Sequence, residues 1–464
     1  MKIHHATLIT LTILLCAEVA AYCALPDFPL RLSANGRYLV DQNDKPFLIK
    51  EISAWGLIQS LSEADEAAFM DSVGSKGFNT LLVSVISYDT RFAGKPPDWN
   101  GISPFKVHWD FSTYDTVYFS HVDRVLNMAG KRGMVVLLVA CYLGWSGDPN
   151  QGWWDELRDK NNSPDKSRIY GRFLGNRYKN FANIIWVAGG DNDADGPSYE
   201  HMKNIIEGIK ENDHHLWTAH WSANHWSFDN KPYASYLDLN GMYNWTERFL
   251  GSAGPQYRTE LEKYGSGKMI FQLDQSYEND VPDTIDNLDH QWIRRKNYDG
   301  ILCGCRGTSF SPGAIDNQCY IFKNWKPLMN TQGMWEAKYC FNLFESRSWQ
   351  DLIPDSSCDV SGRGAFGDIT YACAARTSTG GTMIVYIPTA REIMVDLGRI
   401  SGKSVRAWWY SPGSGRGIKI GEYPTAGFQK FNPPAAGDWV LVIDDASLDL
   451  NGPGTAAAEG IRGE

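Results

Sequence analysis

The chain has 464 residues, with 44 Lys+Arg against 54 Asp+Glu and a formal net charge of -10, which argues against a nucleic-acid partner because phosphate neutralisation needs a basic face. Hydrophobic residues make up 43% and charged residues 21%, a balance that excludes disorder and fits two or three domains, or one barrel with a smaller attachment. Aromatic residues reach 13%, with 18 Trp, 22 Tyr and 20 Phe, more than core filling usually needs and suited to a surface that stacks on sugar rings.

In chain order, residues 1–24 read as a secretory signal peptide: Lys2, an apolar run from Ala6 to Leu15, then small residues at Ala17, Ala20 and Ala21. The expected destination is therefore secreted or periplasmic. The run is too short to span a bilayer, and no later stretch approaches the required length, so no membrane insertion is expected. An Asn35-Gly36 turn in 30–44 predicts a hairpin closing the bottom of a barrel. Apolar runs at 46–51, 79–85, 133–139, 183–188, 216–220, 237–242, 268–273 and 300–303 alternate with helical patterns at 63–76, 118–132, 165–178, 199–212 and 290–298. Eight such strands in α/β alternation predict a (β/α)8 TIM barrel over 25–354. From 355 to 447 the helices stop and short β runs are separated by Gly, Pro and Ser turns, which predicts a C-terminal antiparallel β-sandwich. This domain is expected to pack on the barrel without supplying catalytic residues. Residues 448–464, rich in Gly and Ala, are expected to form a disordered tail.

Of nine Cys, Cys16 and Cys23 fall in or beside the leader. In an oxidising compartment the expected pairs are Cys358 with Cys373, and Cys303 or Cys305 with Cys319 or Cys340. Cys303-Gly304-Cys305 lacks zinc-ligand spacing, and the spacing of His214, His215, His220 and His225 matches no helical ligand pair. No metal site and no cofactor are expected.

A barrel enzyme draws its active site from the C-terminal ends of its strands. After the fourth run comes Gly189-Gly190-Asp191, and after the seventh comes Asp274-Gln275-Ser276-Tyr277-Glu278. Carboxylates at those two ends suit retaining glycosidases, in which one acid protonates the leaving oxygen and a second carboxylate attacks the anomeric carbon. Equally, Asp191 could cap a helix, and Asp274 or Glu278 could be a solvated loop acid. Tyr142 and Trp145 follow the third run, His220 and Trp221 the fifth, and Tyr243, Asn244 and Trp245 the sixth. Rings can stack on the apolar face of a sugar while His and Asn bond its hydroxyls, although any one Trp could equally fill a core. There is no nucleophile elbow and no Walker loop.

The order Ala54-Trp55, Lys76-Gly77-Phe78-Asn79, Tyr118-Phe119-x-His121-Val122-Asp123, Arg177-Tyr178, Asn183-Ile184-Ile185-Trp186-Val187-x-Gly189-Gly190-Asp191 and Tyr277-Glu278 resembles the apiosidase-like glycoside hydrolases, family 140. Val385-Tyr386-Ile387-Pro388, Trp409-Tyr410-Ser411-Pro412 and Asp438-Trp439-Val440-Leu441 resemble the small β domain, named for collagen binding, that usually follows that barrel. The resemblance implies a retaining, exo-acting enzyme on plant cell-wall pectin, with Asp191 as acid/base. The family's nucleophile is the Glu of Gly-Glu-Pro-x-Tyr-Glu. Aligning on Tyr277-Glu278 puts Asp274 in its place, one methylene shorter, with Glu278 as a second candidate. Where the family has Gly-Asp-Thr-Ala-Trp, this chain has Glu51-Ile52-Ser53-Ala54-Trp55, so Glu51 stands in for a substrate-contacting Asp and Trp55 joins it as a sugar contact. The expected partner is an oligo- or polysaccharide and the expected state a monomer. A catalytically silent glycan-binding protein on the same barrel is the alternative, favoured by the Glu-to-Asp change.

Overall fold

The computed structural model describes residues 25–89, 95–145, 151–244, 255–278, 290–312, 325–357 and 359–455. The leader 1–24, Trp245, Cys319, Cys358 and the end of the chain from 456 lie outside the described residues.

Three short strands, Arg31–Leu32, Leu39–Val40 and Pro46–Phe47, form an antiparallel sheet. Its Leu39 and Phe47 pack with Val135, Ile185 and Met269 near the starts of barrel strands. Six parallel strands run in the order Gly307–Ser309, Ile49–Ser53, Thr80–Ser84, Val135–Val139, Ile184–Gly189 and Trp217–His220, and Asn240–Asn244 pairs in parallel with Ile270–Gln275. Two seams close the ring. Leu239 donates its N–H to Trp217 O at 3.0 Å, and Arg306 donates to Ile270 O at 2.7 Å. Nearly every strand residue is buried, as parallel strands covered on both faces require.

The crossover helices begin where the sequence supplies caps. Ser62 accepts from Asp65 N ahead of Glu63–Gly74, Asp115 from Val117 N ahead of Thr116–Lys131, and Ser163 from Lys166 N ahead of Pro164–Tyr178. The barrel is the (β/α)8 fold read from the sequence, with one correction. The eighth strand is Gly307–Ser309, and residues 300–303 instead finish the helix His290–Leu302 and the turn after it. Asp299-Gly300-Ile301-Leu302 continues a helical face on which Ile301 and Leu302 are buried, whereas the true strand is three small or polar residues.

Beyond the barrel, a six-stranded antiparallel sheet in the order Leu352–Pro354, Cys373–Thr377, Thr382–Ile387, Trp439–Asp445, Ser404–Ser411 and Arg416–Pro424 faces a three-stranded sheet of Val360–Ser361, Ile393–Asp396 and Phe428–Phe431. Strand alternation gives the larger sheet two apolar faces. Met383, Val385 and Ile387 pack toward the smaller sheet, while Ile384 and Tyr386 pack with Tyr298, Ile301, Leu302 and Phe344 of the barrel. The sandwich core is thus separate on one face and shared with the barrel on the other. The start of the expected tail is also tied to the barrel, because Asn451 O accepts from Arg347 and Gly454 N donates to Ser346 Oγ.

The cysteines differ from expectation. Cys340 is free and buried, and Cys303 lies 3.5 Å from Cys373, sulfur to sulfur, across the barrel–sandwich boundary. Among the described residues no helix is long and apolar enough to cross a membrane.

Candidate active site

The end of the fourth strand turns through three successive left-handed residues, Gly189 (φ 86°), Gly190 (φ 99°) and Asp191 (φ 57°). A Cβ on Gly189 would stand 2.4 Å from His220 O, and one on Gly190 would stand 2.4 Å from the Tyr142 ring. Only glycine permits both that backbone and that approach. The turn presents Asp191 with its side chain 13% exposed. Its Oδ2 accepts from Tyr142 OH at 2.9 Å and from Gln151 Nε2 at 3.1 Å. Burial raises the Asp191 carboxyl above the ordinary range and the nearby Asp274 adds to that, against the opposing pull of His220 and Tyr142.

His220 ends the fifth strand and is wholly buried. Its Nδ1 accepts the Asp191 backbone N–H at 3.2 Å. An imidazole accepting at Nδ1 carries its proton on Nε2, and that nitrogen lies 3.3 Å from Asp274 Oδ2. The same Nδ1 lies 3.3 Å from Asp191 Oδ1. The two carboxyl groups therefore flank a single imidazole. The ring stacks on Tyr243 at 4.0 Å and meets the edge of Trp55 at 4.9 Å.

Asp274 follows a β-bulge. In the pairing of strands seven and six, Gln272 faces Met242 and Asp274 already faces Tyr243, so Leu273 is an extra residue. Bulges beside active sites re-aim the following side chain, and here the side chain reaches His220 despite its shorter length. Asp274 Oδ1 accepts from Ser53 Oγ at 2.8 Å and Gln275 N at 2.9 Å, and Oδ2 accepts from Tyr277 OH at 3.2 Å as well as His220. An ionised carboxylate, acceptor-only, can take all four donors. Trp55 Nε1 in turn donates to Tyr277 OH at 3.1 Å.

The remaining candidates separate into those in the cleft and those outside it. Trp55, Tyr142 and Tyr243 line the pair with small exposed edges, and Trp145, three residues after Tyr142, is 57% exposed. Trp221 does not reach the cleft. It is fully buried, donates to Ser227 O at 2.8 Å and packs on Tyr233. Asn244 is buried with its backbone O and Oδ1 each 3.3 Å from Lys296 Nζ. Glu51, expected at the sugar, is wholly buried with Oε1 3.1 Å from Ser53 Oγ. Glu278 is turned away from the Asp191–Asp274 pair, and its Oε1 accepts from Gly333 N at 3.1 Å at the start of the helix Gln332–Glu345. Ser53, Gln151 and Tyr277 also hold the two carboxylates, and the sequence patterns alone do not mark them as site residues. Ser53 and Tyr277 lie within quoted motifs, but Gln151 sits in a loop with no signal of its own. Among the described residues no three His, Cys, Asp or Glu side chains converge as a metal ion requires.

Carboxyl groups at the ends of strands four and seven, in a (β/α)8 barrel, fit the arrangement that glycoside hydrolases use. The chain belongs to the apiosidase-like family, whose catalytic-domain model matches residues 33–351. A second model, "Putative collagen-binding domain of a collagenase", matches residues 353–444. A solved glycoside hydrolase superposes with a TM-score of 0.76 at 22% identity, covering 91% of this chain and 97% of its own. A family 5 glycoside hydrolase from Bacteroides vulgatus ATCC 8482 also gives a TM-score of 0.76 at 22% identity, covering 92% and 96%. A structure from the same bacterium, described as that of a "putative glycoside hydrolase", gives 0.68 at 13% identity, covering 90% and 82%. At these identities the likeness is one of fold, and it extends over barrel and sandwich together. No curated protein matches the chain.

Proposed function

We propose that this chain is a secreted, retaining glycosidase acting in exo fashion on a plant cell-wall polysaccharide of pectic type, with Asp191 as acid/base and Asp274 as nucleophile. The observation that carries the reading is the unlike treatment of two carboxyl groups on either side of His220. Asp191 is partly open and its carboxyl is raised by burial, which suits an acid that must hold a proton. Asp274 is held by four donors, which suits a fixed, ionised nucleophile. In the first step Asp274 attacks the anomeric carbon while Asp191 protonates the departing oxygen. In the second, Asp191 takes a proton from water, whose oxygen attacks the anomeric carbon and releases Asp274. Trp55 and Tyr142 supply apolar edges on which a sugar ring can rest.

The test is hydrolysis of aryl glycosides and pectic fragments followed by NMR, with the first-formed anomer expected to match the substrate. A fluorinated glycoside should label Asp274. Inverted product, or label on Glu278, rejects the mechanism, and saccharide binding without turnover would favour the silent glycan-binding reading. Secretion rests on the leader-like residues 1–24. It predicts a mature N-terminus just after Ala21, Cys23 or Ala24 in protein recovered outside the cytoplasm.

A further inference from the structure

Glu51 and Ser53 are two residues apart on the first barrel strand, so their side chains share the face that points into the barrel toward strand seven. Ser53 Oγ stands 2.8 Å from Asp274 Oδ1 and 3.1 Å from Glu51 Oε1. The Ser53 backbone is pinned in turn, its N–H donating to Ser311 Oγ at 2.9 Å. A hydroxyl has one proton to give. If it goes to Asp274, the contact with Glu51 is a hydrogen bond only when Glu51 is the donor, and a carboxyl group donates only when it carries a proton. The surroundings of Glu51 agree. The residue is wholly buried, the hydroxyls of Ser53 and Ser309 face it where a cation would be needed to pair a charge, its Oε2 lies outside hydrogen-bond geometry, and the charge of Asp274 lies beyond the intervening Ser53 hydroxyl. A second carboxylate charge there would be buried, unpaired and repelled. Burial, and then the charge on Asp274, push the Glu51 carboxyl well above its ordinary range.

We propose that Glu51 is a neutral acid that donates to Ser53 and thereby locks the Ser53 proton onto Asp274, making the two a positioning pair for the departure of Asp274 from the glycosyl–enzyme. The inference rests on the reading of Asp274 as nucleophile and assigns a step to that site. Attack converts the Asp274 carboxylate into a neutral ester and weakens the Ser53 bond. In the second step water adds its oxygen to the anomeric carbon, its proton passes to Asp191, and the bonding electron pair returns to Asp274. Negative charge then develops on the Asp274 oxygens, one of which a fixed donor already meets. A donor placed where charge appears in the transition state speeds that step selectively.

The experiment measures kcat, kcat/KM and the pre-steady-state burst for Ser53→Ala, Ser53→Thr, Glu51→Leu and Glu51→Gln in the full chain. A hydrogen bond to a developing charge corresponds to roughly 10- to 100-fold in rate. S53A is expected to lower kcat by that factor while kcat/KM stays within about threefold, so that KM falls and a burst of leaving group appears. S53T restores the donor and most of the rate. E51L produces the same split in milder form, and E51Q, neutral and still able to donate, recovers most of what E51L loses. Equal losses in kcat and kcat/KM for S53A, no loss at all, or an E51Q enzyme as damaged as E51L would each overturn the proposal. A readout independent of turnover is the infrared difference between wild type and E51Q at neutral pH. A protonated-carboxyl C=O band lost in the variant is expected, and its absence overturns the neutral-acid assignment. Failure of the underlying reading looks different, since the fluorinated glycoside would then label a residue other than Asp274 in the wild-type enzyme.

Discussion

Among the regions of this molecule that bury charge, the barrel–sandwich seam and the barrel mouth do so in opposite ways. At the seam between barrel and sandwich, Arg347 meets Asp444 in a two-pronged pair of 2.9 and 2.8 Å with both side chains almost wholly buried. Arg294 meets Asp438 in the same manner at 2.8 and 2.7 Å, with Glu336 as a further partner. Every buried carboxylate named there has a guanidinium against it. At the mouth of the barrel, Asp191, Asp274 and Glu51 gather around one imidazole and one serine hydroxyl, with no Arg or Lys among the hydrogen-bond partners described for them. The seam is arranged so that charges cancel, and the mouth so that protons are held where burial and like charges put them. The first arrangement supports stability, and the second offers the chemical asymmetry that the proposed acid catalysis needs.

The largest effect that would break this contrast lies at the mouth. Asp191→Ala should lower kcat/KM on natural glycan by about 10²- to 10⁴-fold, the usual share of a general acid. The loss should be much smaller on aryl glycosides with good leaving groups, and azide should restore turnover by attacking the intermediate in place of activated water. Because the carboxyl is raised by burial, wild-type activity should persist above the ordinary carboxylate range and fall as pH climbs through the Asp191 titration. A D191A enzyme with wild-type activity on natural glycan would remove Asp191 from the mechanism.

At the seam the same kind of deletion should cost stability instead. Arg347→Met leaves Asp444 buried with only Thr382 Oγ among its described side-chain partners, and breaking a buried pair by removing one member costs about 3–5 kcal/mol. Denaturant titration of R347M, D444N and the double variant should show the double losing less than the two singles together. Surviving folded R347M should retain kcat, since Arg347 touches no residue of the carboxylate site. Cutting the chain near Pro354 should be more damaging still, because it strips Ile384 and Tyr386 from Tyr298 and Phe344 and leaves an apolar barrel face in water. A soluble, stable barrel lacking the sandwich would show that the shared face is not structural.

The sequence reveals most about the mouth where the backbone itself is constrained. Gly189-Gly190-Asp191 is legible because a left-handed turn against His220 leaves few alternatives to glycine, and the turn lies at the strand end where a barrel places its active site. The position of Asp274 is legible only through the Tyr277-Glu278 that follows, since nothing local announces the bulge at Leu273. Glu51 and Trp221 defeat pattern reading for a different reason. Alternation tells which side of a strand a residue faces, but not whether that side opens to a cleft or closes on packed neighbours. The eighth strand is hidden because Gly307-Thr308-Ser309 carries no hydrophobic signature, while Ile301 and Leu302 imitate one at the end of a helix. The shared sandwich face is hidden as well, because a strand buried on both sides reads the same whether its second neighbour is another sheet or another domain. The approach of Cys303 to Cys373 depends on that docking and has no counterpart in local spacing.

The smallest expected effect tests the mouth as a place where stability is given up. Burial, and then the charge of Asp274 on strand seven, raise the Glu51 carboxyl in the folded protein well above its ordinary value, against the opposing pull of the Ser53 and Ser309 hydroxyls that also face it. A group whose folded titration is raised contributes stability that is fully present below its unfolded value and is lost as pH rises through the folded value, because the native state retains a proton that the unfolded chain has released. Glu51→Gln carries no such proton. Its melting temperature should therefore gain on wild type as pH rises above about 4.5, the gap widening until the folded Glu51 itself titrates and then levelling off. Each kcal/mol gained corresponds to about 2–4 °C for a domain of 150–250 residues and less for a longer chain, so the shift is modest but readable across a pH series. A gap that stays constant from acid to neutral pH would mean that Glu51 titrates alike in the folded and unfolded chain and is already ionised in the native state at neutral pH, which would remove the neutral acid from the mouth.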